Sequence, residues 1–381
     1  MKKMSGVSYR TELARFCLWH TNMRAKLASG RSRLLTGFAL LLVILLVLAW
    51  IGLTHQFYFT SPTKSASAST LAQVEPPRIG SSLVYDPLQH VVLLFGGTLL
   101  VSGGAQSNET WTWNGQSWQQ LHPASSPPAL QGNMVYDAAS QQIILFLNQV
   151  PSEGNVANEM WSWNGRTWQQ LRPTLMPEVI GASMAYDAAR GQVLLFGGAA
   201  ANGHAGTLSN ATWTWNGSNW QQQHPSASPS ARTGASLTYD DARQQSVLFG
   251  GITADGLSSE TWTWNGLTWQ QLLNIQPPSS RQHALLIYDS ATHQLLLFGG
   301  LNPAGTQPVA GDTWTLRDNG WSKVSATGAP AELYSSATYD DATRTVVVYT
   351  VKGSLDKLTQ ANSFAPTSQT WTWNGTSWKL L

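Results

Sequence analysis

Residues 109–115 read ETWTWNG, and variants of this segment recur along the chain. The other copies are EMWSWNG at 159–165, ATWTWNG at 211–217, ETWTWNG at 260–266, DTWTLRD at 312–318 and QTWTWNG at 369–375. A Tyr-Asp pair keeps the same interval, at 85–86, 136–137, 186–187, 239–240, 288–289 and 339–340. A repeat of about 50 residues with β-type composition indicates a propeller or a solenoid.

Each repeating unit can be divided into four strands. In the first unit, residues 81–85 alternate toward a turn at the Tyr-Asp pair, and VVLLFGG (91–97) is an apolar run of strand length. In the ETWTW segment that follows, Trp111 and Trp113 share a face because side chains alternate along a strand. The next Asn-Gly pair favours a hairpin, and SWQQL supplies the fourth strand. Six such units predict an all-β, six-bladed propeller over residues 76–381.

Units of the form R-x-G … YD … VLLFGG … ETWTWNG … W-x-x-L resemble kelch repeats, and the resemblance covers about four-fifths of the chain. It implies a kelch-type β-propeller but no particular activity, because propellers carry many unrelated functions. Three units depart from the pattern. FLN (146–148) and YTV (349–351) replace FGG in the second and sixth units, and the fifth lacks the second Trp and the Asn-Gly.

The N-terminal part predicts a membrane anchor. Residues 34–53 (LLTGFALLLVILLVLAWIGL) carry no charge and are long enough, as a helix, to cross a bilayer. Residues 1–33 contain eight basic residues and one acid, Glu12, so the positive-inside rule places them in the cytoplasm. Residues 54–75, rich in Ser, Thr and Ala, then form a stalk that displays the propeller outside the cytoplasm. A cleaved signal peptide is the alternative, although its apolar region would be shorter and nearer Met1.

The composition excludes some function classes. The 348 residues after Arg33 hold 14 basic and 19 acidic side chains, which is not the charge distribution of a nucleic-acid-binding surface. The single cysteine, Cys17, precedes the apolar segment, so the exported part would contain no disulfide. The lipid bilayer around residues 34–53 and an unknown protein or glycan are therefore the expected partners.

Two recurring residue types have a structural and a functional interpretation. There are three Trp residues per unit in five units and two in the fifth, a pattern that favours packing between sheets over sugar stacking. The six Asp residues of the Tyr-Asp pairs favour turn capping over metal binding, since no second ligand recurs beside them. The sequence indicates no metal site and no cofactor.

The binding surface is expected where the loops between second and third strands open, because these are long and dissimilar. The start of the innermost strand lies at the same end. There, Arg78, Arg232, Arg281 and Glu332 belong to four units that are contiguous around a ring. They could recognise an anionic or polyhydroxylated ligand, since guanidinium groups suit carboxylates. Alternatively, the arginines pair with neighbouring acids or main-chain carbonyls.

The sequence supports an enzymatic function less well than it supports an interaction module. A galactose-oxidase-type copper site would need a cysteine inside the propeller, and Cys17 lies outside it. The Asp-box of sialidases is absent, although three arginines superficially echo their triad. A sugar mutarotase would need only an acid–base pair, for which Glu332 and Arg281 are candidates. No catalytic residue is assigned.

Overall fold

The computed structural model describes residues 75–100, 104–148, 158–200, 207–273, 275–301, 311–317, 320–324, 328–330, 335–352 and 366–381. The chain divides into two units, Met1–Thr70 and Leu71–Leu381, and every described residue belongs to the second. The predicted cytoplasmic segment 1–33, the predicted transmembrane helix 34–53 and nearly all of the predicted stalk 54–75 lie outside the described residues. Over the ranges given above, no helix is long and apolar enough to cross a bilayer.

The described residues contain β-strands and no α-helix. In chain order the strands of the first three units are β1 Arg78–Ile79, β2 Ser82–Asp86, β3 Val91–Phe95, β4 Thr98–Leu99, β5 Thr110–Trp113, β6 Trp118–Leu121, β7 Gln131–Asp137, β8 Gln142–Asn148, β9 Glu159–Trp163, β10 Trp168–Leu171, β11 Val179–Ile180, β12 Ser183–Asp187, β13 Gln192–Phe196, β14 Ala199–Ala200, β15 Thr212–Trp215 and β16 Trp220–Gln223. The remaining strands are β17 Arg232–Thr233, β18 Ser236–Asp240, β19 Gln245–Phe249, β20 Ile252–Thr253, β21 Gly256–Leu257, β22 Thr261–Trp264, β23 Trp269–Gln271, β24 Leu285–Asp289, β25 Gln294–Phe298, β26 Thr313–Arg317, β27 Gly320–Val324, β28 Ser336–Asp340, β29 Thr345–Lys352, β30 Thr367–Trp373 and β31 Trp378–Leu380.

Each sequence repeat forms one four-stranded antiparallel sheet. The described sheets are sheet 1 (β2-β3-β5-β6), sheet 2 (β7-β8-β9-β10), sheet 3 (β12-β13-β15-β16), sheet 4 (β18-β19-β22-β23), sheet 5 (β24-β25-β26-β27) and sheet 6 (β28-β29-β30-β31). The first strand of each sheet, called its inner strand here, contacts the inner strand of the next sheet, and β28 contacts β2. The all-β prediction is confirmed, and the architecture is propeller-like.

The hydrophobic core is divided among the junctions between neighbouring sheets. Each of the described core clusters combines apolar side chains from two adjacent sheets, and one cluster joins sheet 6 to sheet 1. In that cluster, Val92 and Trp113 of sheet 1 pack with Val347 and Tyr349 of sheet 6. A single sheet therefore cannot bury its own apolar face, and the neighbours on both sides must do so.

The Trp in the fourth strand of each sheet packs across a junction in the same way. Trp168 packs edge-to-face on Phe95 of sheet 1, with ring centroids 5.2 Å apart, and its indole N–H donates to the Thr110 hydroxyl at 2.9 Å. Equivalent indole-to-threonine bonds join Trp118 to Thr370, Trp269 to Thr212, Trp321 to Thr261 and Trp378 to Thr313, at 2.9–3.0 Å. The structural interpretation of these tryptophans is confirmed.

Sheet 2 provides the exception to this bond. It has Met160 where the other sheets have threonine, and the indole N–H of Trp220 points at the Met160 sulfur, 2.8 Å away. Thioether sulfur is a weak acceptor. The ring of Trp220 still packs on Phe146, with centroids 5.9 Å apart, so the apolar part of the contact is preserved.

The double glycines end the second strand and allow the backbone of the next sheet to approach closely. Gly250 and Gly251 both have positive φ, 71° and 92°. A Cβ on Gly250 would lie 2.5 Å from the Arg281 carbonyl oxygen, and the Gly251 amide donates to that same oxygen at 2.9 Å. Glycine is thus required for backbone conformation and also for close approach of the neighbouring chain.

The length of the second strand in a sheet depends on whether the double glycine is present. In sheets 1, 3 and 4 the second strand stops at FGG, and the chain continues in a separate short pairing (β1 with β4, β11 with β14, β17 with β20). In sheets 2 and 6, where FLN and YTV replace FGG, the second strands continue past this point. These strands, β8 and β29, are seven and eight residues long in total. These sequence departures lengthen the ladder without interrupting the sheet.

Thr110→Val tests the bond between sheets. The substitution keeps shape but leaves the buried Trp168 N–H without its acceptor, and we expect the free energy of unfolding to fall by about 1–3 kcal/mol. Thr112→Val is the control in the same strand, because the Thr112 hydroxyl makes only a 3.5 Å contact to the Gln119 carbonyl. Urea unfolding followed by tryptophan fluorescence measures both. Equal losses in the two variants would contradict the assignment.

Candidate functional site

The inner strands are joined to one another by small polar side chains. The hydroxyl of Ser183 donates to the Ala235 carbonyl at 2.7 Å, and that of Ser236 donates to the Ala284 carbonyl at 2.6 Å. Asn133 makes the equivalent bond to Ala182 at 2.8 Å. Small residues are therefore used here because the strands converge and because each side chain ties its strand to the next.

The Tyr of each Tyr-Asp pair lies at the other end of the inner strand. The Ala139 amide of sheet 2 donates to the Tyr186 hydroxyl of sheet 3 at 3.0 Å, and the Ala189 amide donates to the Tyr239 hydroxyl at 3.1 Å. Each tyrosine thereby holds the turn of the preceding sheet. The Tyr85 hydroxyl likewise contacts the Ala342 backbone of sheet 6, and it also has His90 Nδ1 at 3.3 Å. These contacts fix the tyrosine rings around the centre of the fold.

The Asp of five of the six pairs caps its own turn, as the sequence predicts, whereas the Asp187 carboxylate is paired with the Arg190 side chain. One carboxylate oxygen of Asp86 accepts from the amides of Leu88 and Gln89 at 2.9 and 3.2 Å. Asp340 does the same for Ala342 and Thr343. Within the described ranges, no three His, Cys, Asp or Glu side chains stand close enough together to hold a metal ion.

A cavity of about 340 Å³ opens at the Tyr-Asp end of the inner strands. It is lined by tyrosines, small hydroxyl-bearing and aliphatic residues, and one acid: Val84, Tyr85, Pro87, Tyr136, Thr238, Ile287, Tyr288, Ser290, Thr338, Tyr339 and Asp341. Its walls come from inner strands of sheets 1, 2, 4, 5 and 6 and from the turns that follow them. A pocket of this size suits a small ligand or a single side chain.

The electrostatic environment of this cavity is negative. Asp341 is its one charged lining residue; it is exposed and accepts a hydrogen bond from the Ser290 hydroxyl at 3.2 Å. Burial, followed by the charges of Asp340 and Asp341, raises the pKa of the Tyr85 phenol. Burial, followed by the charges of Asp241 and Asp240, raises the pKa of Tyr288 in the same way.

The three predicted arginines lie at the opposite end of the inner strands and are fully buried. Relative exposures are 0% for Arg78, 1% for Arg232 and 0% for Arg281. Arg281 donates to both carboxylate oxygens of Asp312 at 2.8 Å and to the Gly299 carbonyl at 3.1 Å. Arg78 is paired with Glu109 and Arg232 with Glu260, and each also donates to the carbonyl of the first glycine of its FGG.

The acids of these pairs also accept from an indole. Trp111 donates to Glu109 at 3.0 Å and Trp314 to Asp312 at 2.8 Å. Burial opposes ionisation of Asp312, but the hydrogen bonds from Arg281 and Trp314 and the charge of Arg281 together lower the pKa of its carboxyl. Each Arg–acid–Trp set is thus an ion pair satisfied by its own sheet.

These contacts are those of the structural alternative, in which the arginines pair with acids and main-chain carbonyls. Ligand binding by Arg78, Arg232 and Arg281 stays a prediction, and their guanidinium groups are not presented to solvent. Glu332 lies outside the described residues. The fold therefore brings the three arginines to equivalent places in three sheets, each within its own set.

Sheet 3 lacks the arginine and the acid of the Arg–acid–Trp set and has apolar residues at both positions. Val179 occupies the arginine position and is buried, and Ala211 occupies the acid position. In sheet 2, Ala129 replaces the arginine while Glu159 remains and accepts from the Trp161 indole at 2.9 Å. The buried guanidinium thus occurs only in described sheets that also contain its acid.

A second buried acid closes the junction between sheets 6 and 1. Glu75, 2% exposed, accepts from Arg78 Nε at 2.6 Å, and its other carboxylate oxygen has no partner among the described residues. The hydroxyl of Tyr349 in sheet 6 donates to the Pro76 carbonyl at 3.3 Å and accepts from the Arg78 amide at 3.2 Å. Burial raises the pKa of Glu75 to about 7, although the charge of Arg78 opposes this.

Comparison with known proteins identifies the fold. No family model matches the chain, and no curated protein matches it. Among solved structures, the one titled "Structure of YjhT", a kelch-type propeller, aligns with 81% of this chain and 98% of its own at a TM-score of 0.58 and 13% identity. The fold is a β-propeller. At this identity the likeness extends to the fold alone.

Sequence reasoning missed the tyrosine-lined cavity. It placed the binding surface at the end of the second-to-third loops, most of whose residues lie outside the described ranges, and that placement stays a prediction. The cavity lies at the other end, where the register pairs Asp86 with Val91 and Trp113 with Trp118 across short turns. The available signal was the tyrosine that recurs one residue before the end of every inner strand.

Arg281→Val should cost about 3–5 kcal/mol in the free energy of unfolding, because it leaves the Asp312 carboxylate without its cation. The double variant Arg281→Val/Asp312→Ala copies sheet 3, and we expect it to recover part of that loss. Urea unfolding of both single variants and the double gives the coupling energy. Strictly additive losses would show that the pair is not coupled.

Glu75 should make stability fall as pH rises. Its folded-state pKa of about 7 lies above the ordinary glutamate pKa of 4.5, so the folded protein holds the proton to higher pH than the unfolded chain does. The contribution of protonated Glu75 to the free energy of unfolding is fully present below pH 4.5. It is lost as pH rises through 7, and the total loss is roughly 3 kcal/mol. In Glu75→Gln this part of the pH dependence should vanish, as measured by urea unfolding across that interval. A variant with the unchanged wild-type slope would contradict the assignment.

Proposed function

We propose that this chain is a six-bladed, kelch-type propeller, anchored in a membrane by residues 34–53 and displayed outside the cytoplasm as a protein- or glycan-binding module. The anchor rests on the uncharged segment and the basic residues that precede it. The blade count rests on six sheets whose inner strands contact one another in sequence and whose last sheet shares a core cluster with the first.

The binding function rests on one observation: the cavity at the Tyr-Asp end is lined by aromatic and hydroxyl-bearing side chains on a rigid frame. Such a surface can hold a ligand by stacking and hydrogen bonding. The buried charges described above are used within the fold, since Arg281 is already held by both oxygens of Asp312. This favours binding over the mutarotase alternative, which needs Arg281 and Glu332 for proton transfer.

The topology has a sharp test because Cys17 is the one cysteine of the chain. In intact cells, a membrane-impermeant maleimide should leave Cys17 unlabelled. The same reagent should label Asp255→Cys, made in a Cys17→Ser background, because Asp255 is an exposed residue of the propeller. Permeabilised cells, in which both label, are the control. Labelling of Cys17 in intact cells, or none at position 255, would refute the anchored topology.

Binding and catalysis are separated by a second experiment. The full-length protein in non-ionic detergent is screened against glycans, and each retained sugar is followed by NMR. Retention with no change in the sugar is the expected result, since the proposal assigns no acid–base pair. Catalysed exchange of anomers would favour the enzyme.

A further inference from the structure

The chemistry of the tyrosine-lined cavity selects a ligand class. Two of its tyrosines have their hydroxyls engaged: Tyr85 with His90 and Tyr288 with His293, each at 3.3 Å from the imidazole Nδ1. Their phenol oxygens are therefore already engaged, and the rings are what these residues contribute to the wall. Aromatic rings carry negative charge on their faces and attract cations.

One tyrosine differs from the others. The Tyr339 hydroxyl oxygen is buried and has no hydrogen-bond partner in the part of the chain that the structure describes. Because this oxygen has almost no accessible surface, a ligand in the cavity would contact the ring of Tyr339 and not its hydroxyl. Asp341, two residues further along the same chain segment, lines the same cavity and offers a carboxylate.

The cavity has no cationic side chain in its described lining. The carboxylate of Asp341 is held toward the cavity by the Ser290 hydroxyl of the neighbouring sheet. An anion would face Asp341 with nothing to balance it, whereas a cation would find the carboxylate and the tyrosine rings together. A volume of about 340 Å³ admits a single amine-bearing group with its aliphatic or sugar body.

We infer that this cavity binds a protonated amine, with Asp341 accepting its N–H groups and the tyrosine rings surrounding it. The inference rests on the proposed binding function and names the chemistry of its ligand. Two sources share this chemistry: a lysine side chain of a protein and the amino group of an amino sugar.

The test uses the full-length protein in non-ionic detergent at neutral pH, with binding followed by NMR titration. Nα-acetyl-lysine methylamide is compared with the neutral norleucine analogue, and glucosamine with glucose. We expect an amine to bind at least about tenfold more tightly than its neutral counterpart, as one ion pair plus cation–π contact implies. Binding of only the lysine analogue identifies a protein side chain as the source, and binding of only glucosamine identifies an amino sugar.

Variants connect the binding to the cavity. Asp341→Asn should weaken amine binding about three- to tenfold, because it removes the charged acceptor, whereas Tyr339→Phe keeps the ring and should bind like the wild type. Asp255→Asn makes the same charge change at an exposed loop between β20 and β21 and should bind like the wild type. All three variants should unfold at the wild-type temperature, since Asp341 is exposed and the Tyr339 hydroxyl has no described partner.

Three outcomes would overturn the inference: neither amine binds, the neutral analogues bind equally well, or Asp341→Asn matches the wild type. None of these would touch the proposed display of a binding module, which the maleimide labelling tests separately. Conversely, an intracellular propeller that binds amines at Asp341 would keep this inference and refute the anchored topology.

Discussion

The whole structure depends on a tryptophan that belongs to one sheet and completes the core of the sheet before it. Trp269 packs on Phe196 with ring centroids 4.9 Å apart, and its N–H reaches the buried Thr212 hydroxyl. The contact combines a large apolar area with one directional bond, so it fixes both the spacing and the vertical alignment of the sheets. Because every sheet gives one such tryptophan and receives another, no sheet can be removed without exposing two neighbours.

The junction between sheets 6 and 1 uses the same contact and adds others. Trp118 donates to Thr370 across it, and the Ser368 hydroxyl donates to the Glu75 carbonyl at 2.9 Å. The first residues of sheet 1 and a strand from the end of the chain are thereby joined side by side. Glu75, Arg78 and Tyr349 concentrate polar groups where the other junctions are more apolar. Closure in this molecule is therefore both hydrophobic and electrostatic.

Much of the fold could be predicted from the sequence because its determinants are local and repeated. The ETWTWNG segments, the double glycines and the Tyr-Asp turns each specify backbone geometry within a few residues, and the structure places them as expected. The acceptors of the arginines could not be assigned in the same way. Glu109 lies 31 residues from Arg78, and only the strand register brings the two together at 2.6 Å. The sequence allowed both pairing and ligand binding, and could not decide between them.

The tyrosine-lined cavity was harder to foresee, for a related physical reason. It is made by residues from five sheets, and no single repeat contains enough of it to suggest a pocket. Asp341 acquires its character from position: Asp241 also follows a Tyr-Asp pair, but of these two acids only Asp341 is among the described lining residues of the cavity. Differences between copies of a unit, rather than the shared motif, carry the specific chemistry of such a fold.

The Arg–acid–Trp sets imply an order in which duplicated units can diverge. Loss of the carboxylate leaves a guanidinium with no exposed surface unpaired, whereas loss of the guanidinium leaves a partly exposed carboxylate that still accepts from an indole, so the second loss is the less costly of the two. Sheet 2, with Glu159 and no arginine, has the composition of a halfway stage, and sheet 3, with Val179 and Ala211, has that of the end point. Drift from charged to apolar units would then pass through loss of the arginine first.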